Sequence, residues 1–198
     1  AYLGSLKQFV TDSRLTFLLV SVGGFSMAQG AVNTFLPLYL RLELNFEPLQ
    51  TAGFVALGQV AGVASSPLLG YLSDKFGRRM TLGPALVALG VGVIGIGVAP
   101  QGPLLFLAVA WVGAFMFPLM ALYLAAAMDR VGTSVQATTV SLVYGAGTLF
   151  GSLSPSIAGS LADTYGRNAA FFWGGSIAIV AAAILAASGL WDRMRVAR

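Results

Sequence analysis

The sequence predicts an all-α membrane fold, with six transmembrane helices arranged as two inverted three-helix repeats. Three observations lead there. The 198 residues are 57% hydrophobic and only 9% charged, with a mean hydropathy of +0.84. A soluble domain carries about 25% charged residues, so the solvent for most of this surface must be lipid. The charges also leave long uncharged runs. Finally, Gly70-Tyr71-Leu72-Ser73-Asp74-Lys75-Phe76-Gly77-Arg78 returns as Gly159-Ser160-Leu161-Ala162-Asp163-Thr164-Tyr165-Gly166-Arg167. Both read G-x-L-x-D-x-x-G-R, and a repeat of this kind fixes architecture before any local assignment.

The uncharged runs give the helices in order. The first covers residues 15–40 and the second 48–73. Residues 80–128 are too long for one crossing, and Pro100-Gln101-Gly102-Pro103 divides them into a third and a fourth. The fifth lies in 131–162, with the polar Gly132-Thr133-Ser134 expected outside the hydrocarbon, and the sixth in 168–191. A helix needs about 20 apolar residues to cross, whereas a barrel strand takes about 9–11 and alternates in polarity. None of these runs alternates. The membrane domain is therefore expected over 15–191, between an N-terminal segment 1–14 and a basic tail 192–198. Residues 1–14 show no signal-peptide pattern. The chain starts at Ala1 rather than Met, which is the expectation for a processed chain or a piece of a longer one.

Orientation follows from Lys and Arg. With six crossings, Lys7, Arg14, Lys75, Arg78, Arg79, Arg130, Arg193, Arg195 and Arg198 share one side, and Arg41 and Arg167 the other. The positive-inside rule then puts both termini in the cytoplasm, in a bacterial inner or plasma membrane. The net charge of +4 reflects topology, and no nucleic-acid partner is expected.

Cysteine and histidine are absent. No Asp, Glu, Lys or Arg stands in the middle of a run, so no thiol, metal site, carboxylate pair or proton relay is expected. The chain reads as no enzyme, with no cofactor. A motif after the second and fifth of six helices makes two units of three. Three is odd, so the second unit is inverted, as in secondary transporters.

The Gly70-x-Leu72-x-Asp74-x-x-Gly77-Arg78-Arg79 loop resembles the loop motif of the major facilitator superfamily. The run Gly147-Thr148-Leu149-Phe150-Gly151-Ser152-Leu153-Ser154-Pro155-Ser156-Ile157-Ala158-Gly159 is similar to that family's glycine–proline helix. It is followed by Leu161-Ala162-Asp163 and Gly166-Arg167-x-x-Ala170-Phe171. The resemblance implies half of a twelve-helix transporter. The fourth helix of a first half usually carries an intramembrane arginine. Here Leu104-Leu105-Phe106-Leu107-Ala108-Val109-Ala110-Trp111-Val112-Gly113 has none, so the chain looks like a C-terminal half. The implied partner is a second six-helix half, whether a missing N-terminal half, a separate chain or a homodimer copy.

Candidate gating residues are Gly70, Asp74, Gly77, Arg78, Arg79 and Asp129. Asp74 is expected to face the positive end of a helix in the other half, which the resemblance implies is that half's fifth. Arg78 or Arg79 is expected to meet Asp129. The plain alternative is a basic loop anchored at the headgroups. Asp163 and Arg167 form either a matching latch on the far side or a turn with a local ion pair or helix cap. Gly58, Gly62, Ser66 and Gly70 recur every four residues, as do Gly147, Gly151, Pro155 and Gly159. Small residues at that spacing bring helices close, and Pro155 is a kink site.

Gln29 and Asn33 stand four apart, on one face, near the middle of the first helix, and Gln59 is midway along the second. Buried amides need partners. These either bond neighbouring helices or line a substrate cavity, around which the resemblance places the first and fourth helices. Trp111, Phe115, Tyr123 and Tyr144 are candidate aromatic contacts, with ordinary packing as the alternative. Trp173 and Trp191 read as interfacial belt residues. The leading function is a secondary active transporter half, a symporter or antiporter. It would move a neutral or amphipathic small molecule, such as a drug-like compound or metabolite, by alternating access. The alternative is a non-transporting accessory or receptor module.

Overall fold

The computed structural model describes the backbone of residues 13–131 and 135–196 and the side chains of 15–131 and 135–187. Lys7, Arg14, Gly132-Thr133-Ser134, Trp191, Arg193, Arg195 and Arg198 lie outside those side chains. Six helices follow one another: α1 Ser13–Leu42, α2 Pro48–Phe76, α3 Arg78–Val98, α4 Pro103–Met128, α5 Gln136–Tyr165 and α6 Asn168–Val196.

Local chemistry explains the boundaries. Pro48 and Pro103 sit at the first helical positions, where no amide is needed. The Glu47 N–H donates to Gln50 Oε1 at 3.0 Å and closes the start of α2. Gly77 and Gly166 end α2 and α5 with φ of 94° and 91°, a region costly for any residue with a Cβ. Their amides donate to Ser73 O and Ala162 O, each at 3.0 Å.

Among the described residues, five helices are long and apolar enough to cross a membrane; α5 is not among them. At 30 residues it has the length. Its hydropathy is diluted by Thr138, Thr139, Ser141, Thr148, Ser152, Ser154, Ser156 and Ser160. The count of six crossings from uncharged length alone does not see that dilution.

The helices pair in a regular way. α1 packs on α5 and α6, α4 packs on α2 and α3, and α3 packs on α6. Exchanging α1–α3 with α4–α6 leaves this set of neighbours unchanged. The same exchange relates two hydrogen bonds. Ser65 Oγ of α2 donates to Ala114 O of α4 at 2.5 Å, and Ser154 Oγ of α5 donates to Met27 O of α1 at 2.5 Å. Each serine stands five residues before the glycine that opens its motif.

The core runs through the middle of this arrangement. Val22 and Phe25 of α1, Leu86, Leu89 and Val93 of α3, Leu119 of α4 and Phe171 of α6 are fully buried. α2 differs. Its apolar window is 17% buried, against 56% for α1 and for α3.

Candidate functional site

A groove of about 490 Å³ runs between α1, α4 and α5. Gln29 and Asn33 line it from α1, Met120 from α4, and Tyr144, Thr148 and Ser152 from α5. A smaller cleft of about 60 Å³ lies between α1, α2 and α4 and also touches Asn33, together with Gln59, Phe54 and Phe117. The two depressions share Asn33, so Gln29, Asn33, Gln59 and Tyr144 fall on one continuous surface. Among the described residues, none of these four side chains has a hydrogen-bond partner. Asn33, Gln59 and Tyr144 are exposed and Gln29 is half-buried. No charged residue lines the groove. Such a surface offers amide and hydroxyl hydrogen bonding beside apolar contacts.

The two repeated loops sit at opposite ends of α1. Leu18, near its start, shares a cavity with Gly77 and Arg78, whereas Glu43, just past its end, pairs with Arg167. At the first loop Arg78 Nη1 lies 2.6 Å from Asp74 Oδ1 and donates to Ser73 Oγ at 3.1 Å, while its Nε donates to Asp129 Oδ2 at 3.1 Å. One guanidinium therefore ties the ends of α2 and α4. Arg79 turns to α6 and donates to Leu185 O at 2.5 Å and Ala186 O at 3.1 Å. Asp74 is two-thirds exposed. Lys75 lies 5.7 Å from the Tyr71 ring and 5.4 Å from that of Phe76. Gly70 has open space around it. At the second loop Arg167 Nη1 donates to Glu43 Oε1 at 2.7 Å.

A model of the Major Facilitator Superfamily matches residues 2–155. The chain belongs to the major facilitator superfamily. No curated protein matches it. Members of this superfamily are transporters, and the match together with five helices long and apolar enough to cross, among the described residues, makes this chain an integral membrane protein.

In this superfamily chain, three of the aromatic candidates lie away from the groove. Trp111 is half-exposed on the α3 side, and its Nε1 donates to Ala88 O at 2.9 Å. Phe115 packs against it with the rings tilted by 51° and their centroids 4.9 Å apart. Tyr123 is fully buried. Its Oη lies 2.6 Å from Ser21 Oγ, which itself donates to Ala181 O at 2.9 Å. The hydroxyl proton of Ser21 is thus committed, and Tyr123 is the donor. Trp173 is half-buried against the core, with its Nε1 enclosed and unpartnered among the described residues.

The small-residue stripes meet specific neighbours. Gly58 and Gly62 lie against Gly113 and Phe117 of α4, and Gly147 and Gly151 against Ser26 of α1. Gly159 lies near Phe35, and Pro155 is inside α5. Sequence reasoning missed Thr148 and Ser152. They follow Tyr144 at i+4 and i+8, so a polar stripe on one face of α5 was the available signal. It also missed Glu43 as the partner of Arg167 and Phe117 as a cleft residue.

Proposed function

We propose that this chain is one six-helix half of a secondary active transporter, built as two inverted triplets. Its groove would form one wall of a central cavity that opens alternately to each side. The observation that carries this reading is the state of Gln29, Asn33, Gln59 and Tyr144. An accessory module would bury its mid-helix amides against neighbouring helices, because an unpaired amide in lipid is costly. Among the described residues these four are unpaired; Gln29, Asn33 and Tyr144 line the groove, and Gln59 lines the cleft that adjoins it at Asn33. The poorly buried face of α2 and the exposed Tyr144, Leu149, Leu153 and Ile157 of α5 support a second half on that side.

Support for the inverted repeat comes from the exchange-invariant packing, the equivalent Ser65 and Ser154 bonds, and the matching glycine turns at opposite ends of α1. The Lys and Arg distribution favours cytoplasmic termini. The uncharged groove favours a neutral or amphipathic solute, with any titrating carboxylate in the other half. Asp74 and Arg78 would hold the cytoplasmic side closed against that half.

The chain has no native cysteine, so a single cysteine at Asn33 gives a clean probe. A membrane-impermeant maleimide applied to the protein in its native membrane should reach it from either face, in different conformations. Labelling from neither face would sink the cavity assignment.

A further inference from the structure

The groove and the cleft are counterparts in the exchange that relates the two triplets. Ser65 and Ser154 make equivalent bonds, to Ala114 O and Met27 O. These bonds fix the register of α2 on α5 and of α4 on α1. Carried along the helices, that register matches Val55 with Tyr144, Gln59 with Thr148, Met116 with Gln29 and Phe117 with Gly30. The glycine contacts obey it. Gly58 lies against Gly113 as Gly147 lies against Ser26, and Phe117 covers Gly62 where Gly30 meets Gly151.

The matched positions differ in chemistry. The groove offers the hydroxyls of Tyr144, Thr148 and Ser152 beside the Gln29 amide. Thr148 has no hydrogen-bond partner among the described residues. Ser152 Oγ donates to Leu149 O at 2.9 Å and keeps its lone pairs for an incoming donor. In the cleft, Val55 and Met116 replace Tyr144 and Gln29, and only Gln59 matches a polar residue with a polar one. The Phe117 ring stands where Gly30 leaves space, and the cleft is about 60 Å³ against about 490 Å³ for the groove. Phe117 is 39% exposed, and Phe54 and Val55 beside it are half-buried, so the cleft presents apolar surface that a solute can touch. The exposed Asn33 joins the two walls.

A wall that hydrogen-bonds, meeting a wall that does not, fits a solute with two unlike ends. We infer that the solute is an uncharged amphiphile held in one orientation. Its hydrogen-bonding head lies against Tyr144, Thr148 and Ser152, and its aromatic or branched apolar end against Phe54, Val55 and Phe117. Thr148 and Phe117 set specificity, the first by bonding the head, the second by limiting the width of the apolar end. A solute polar at both ends would press an unpaired polar group on the cleft, which is costly. A solute without a head would leave the α5 hydroxyls covered and unpaired. The orientation holds only if the groove is the solute cavity proposed above.

The test photolabels the protein in its native membrane with para-(trifluoromethyldiazirinyl)benzyl alcohol, an uncharged probe with a hydroxyl at one end and the reactive group at the other. Adducts mapped by mass spectrometry should fall on Phe54, Val55 or Phe117, and excess para-(trifluoromethyl)benzyl alcohol should suppress them. Thr148→Val should raise the competitor concentration needed about fivefold, the worth of one neutral hydrogen bond. It should not weaken labelling by the hydroxyl-free toluene analogue of the probe. Ser160→Ala, on α5 outside the groove, should change nothing. Adducts on Tyr144, Thr148 or Ser152, equal adducts on both walls, or an unaffected Thr148→Val would overturn the orientation. So would an equal loss in Ser160→Ala or with the toluene analogue, and so would adducts that the competitor does not suppress. With a cysteine at Asn33 still labelled from both faces, any of these results overturns the orientation alone. A cysteine labelled from neither face overturns the cavity beneath it.

Discussion

Arg167 of the second loop donates to Glu43 at 2.7 Å, tying the start of α6 to the end of α1. The first loop is built the same way, with Arg78 donating to Asp129 at the end of α4. In each case the last residue of G-x-L-x-D-x-x-G-R reaches the acid that follows the first helix of the other triplet. The two triplets are thereby laced together at both ends. They differ in one respect. Arg78 also holds Asp74, whereas Asp163 has no partner among the described residues.

These ion pairs should matter little for stability. The side chains of Arg167 and Glu43 are 38% and 44% exposed, and those of Arg78 and Asp129 30% and 56%. Pairs so open to solvent contribute about 0–1 kcal/mol and weaken with salt. Glu43→Gln and Asp129→Asn should each lower thermal stability in detergent by less than about 1 kcal/mol. Raised NaCl should shrink both effects. A loss several times larger for Glu43→Gln would mean that the pair does more than lace the ends.

Asp74 tests the gate instead. Paired to Arg78, it is still two-thirds exposed and so accessible from outside the chain. Asp74→Asn should weaken the state closed at the cytoplasm. Cysteine probes on that side of the intact protein should then label faster, while the melting temperature barely moves. Unchanged labelling would remove Asp74 from the gate and leave it a loop anchor.

Tyr123 and Ser21 offer an asymmetric pair, both fully buried. Tyr123→Phe removes one donor, and Ser21 keeps its bond to Ala181 O. A single exchanged hydrogen bond of this kind costs about 0.5–1.5 kcal/mol. Ser21→Ala leaves the phenol enclosed without an acceptor, which costs about 1–3 kcal/mol. Denaturation in detergent should rank Ser21→Ala below Tyr123→Phe. The reverse order would show that a water or another acceptor serves Tyr123.

How much of this was legible in the sequence depends on the kind of signal. The helices were, because charge cannot enter lipid, and Pro48, Pro103 and Asn168 start α2, α4 and α6 where the runs start. The Arg78–Asp129 contact was anticipated as one of two options. Trp111, Phe115 and Tyr123 show the limit. An aromatic in a fourth helix can face a cavity, a neighbour or the core, and α4 is so uniformly apolar that no periodicity chooses between them. Tyr123 took the core because Ser21 supplies a buried acceptor, a pairing across two distant helices that no local pattern carries. Thr148 and Ser152 were readable as a stripe with Tyr144, but they were hidden among the many hydroxyls of α5.

The α2–α4 seam gives the sharpest structural expectation. Gly58 and Gly113 face each other, but their surroundings are unequal. A Cβ built on Gly113 would fall 2.1 Å from Gly58 O and 2.5 Å from Gly58 Cα, both backbone atoms that cannot step aside. A Cβ on Gly58 would meet nothing closer than 3.8 Å, an ordinary contact. Gly113→Ala must therefore push α2 off α4 and lose the Ser65 bond to Ala114 O. Overpacking of this kind costs about 1–3 kcal/mol, and rigid backbone neighbours place Gly113→Ala at the upper end. Gly58→Ala should be close to neutral, since the gain in helix propensity offsets a small packing change. Parallel melts of the two variants decide the matter. If Gly58→Ala proves as damaging as Gly113→Ala, the seam cannot have this register. The close approach of α2 to α4 would then have to run through Gly62 and Phe117 instead.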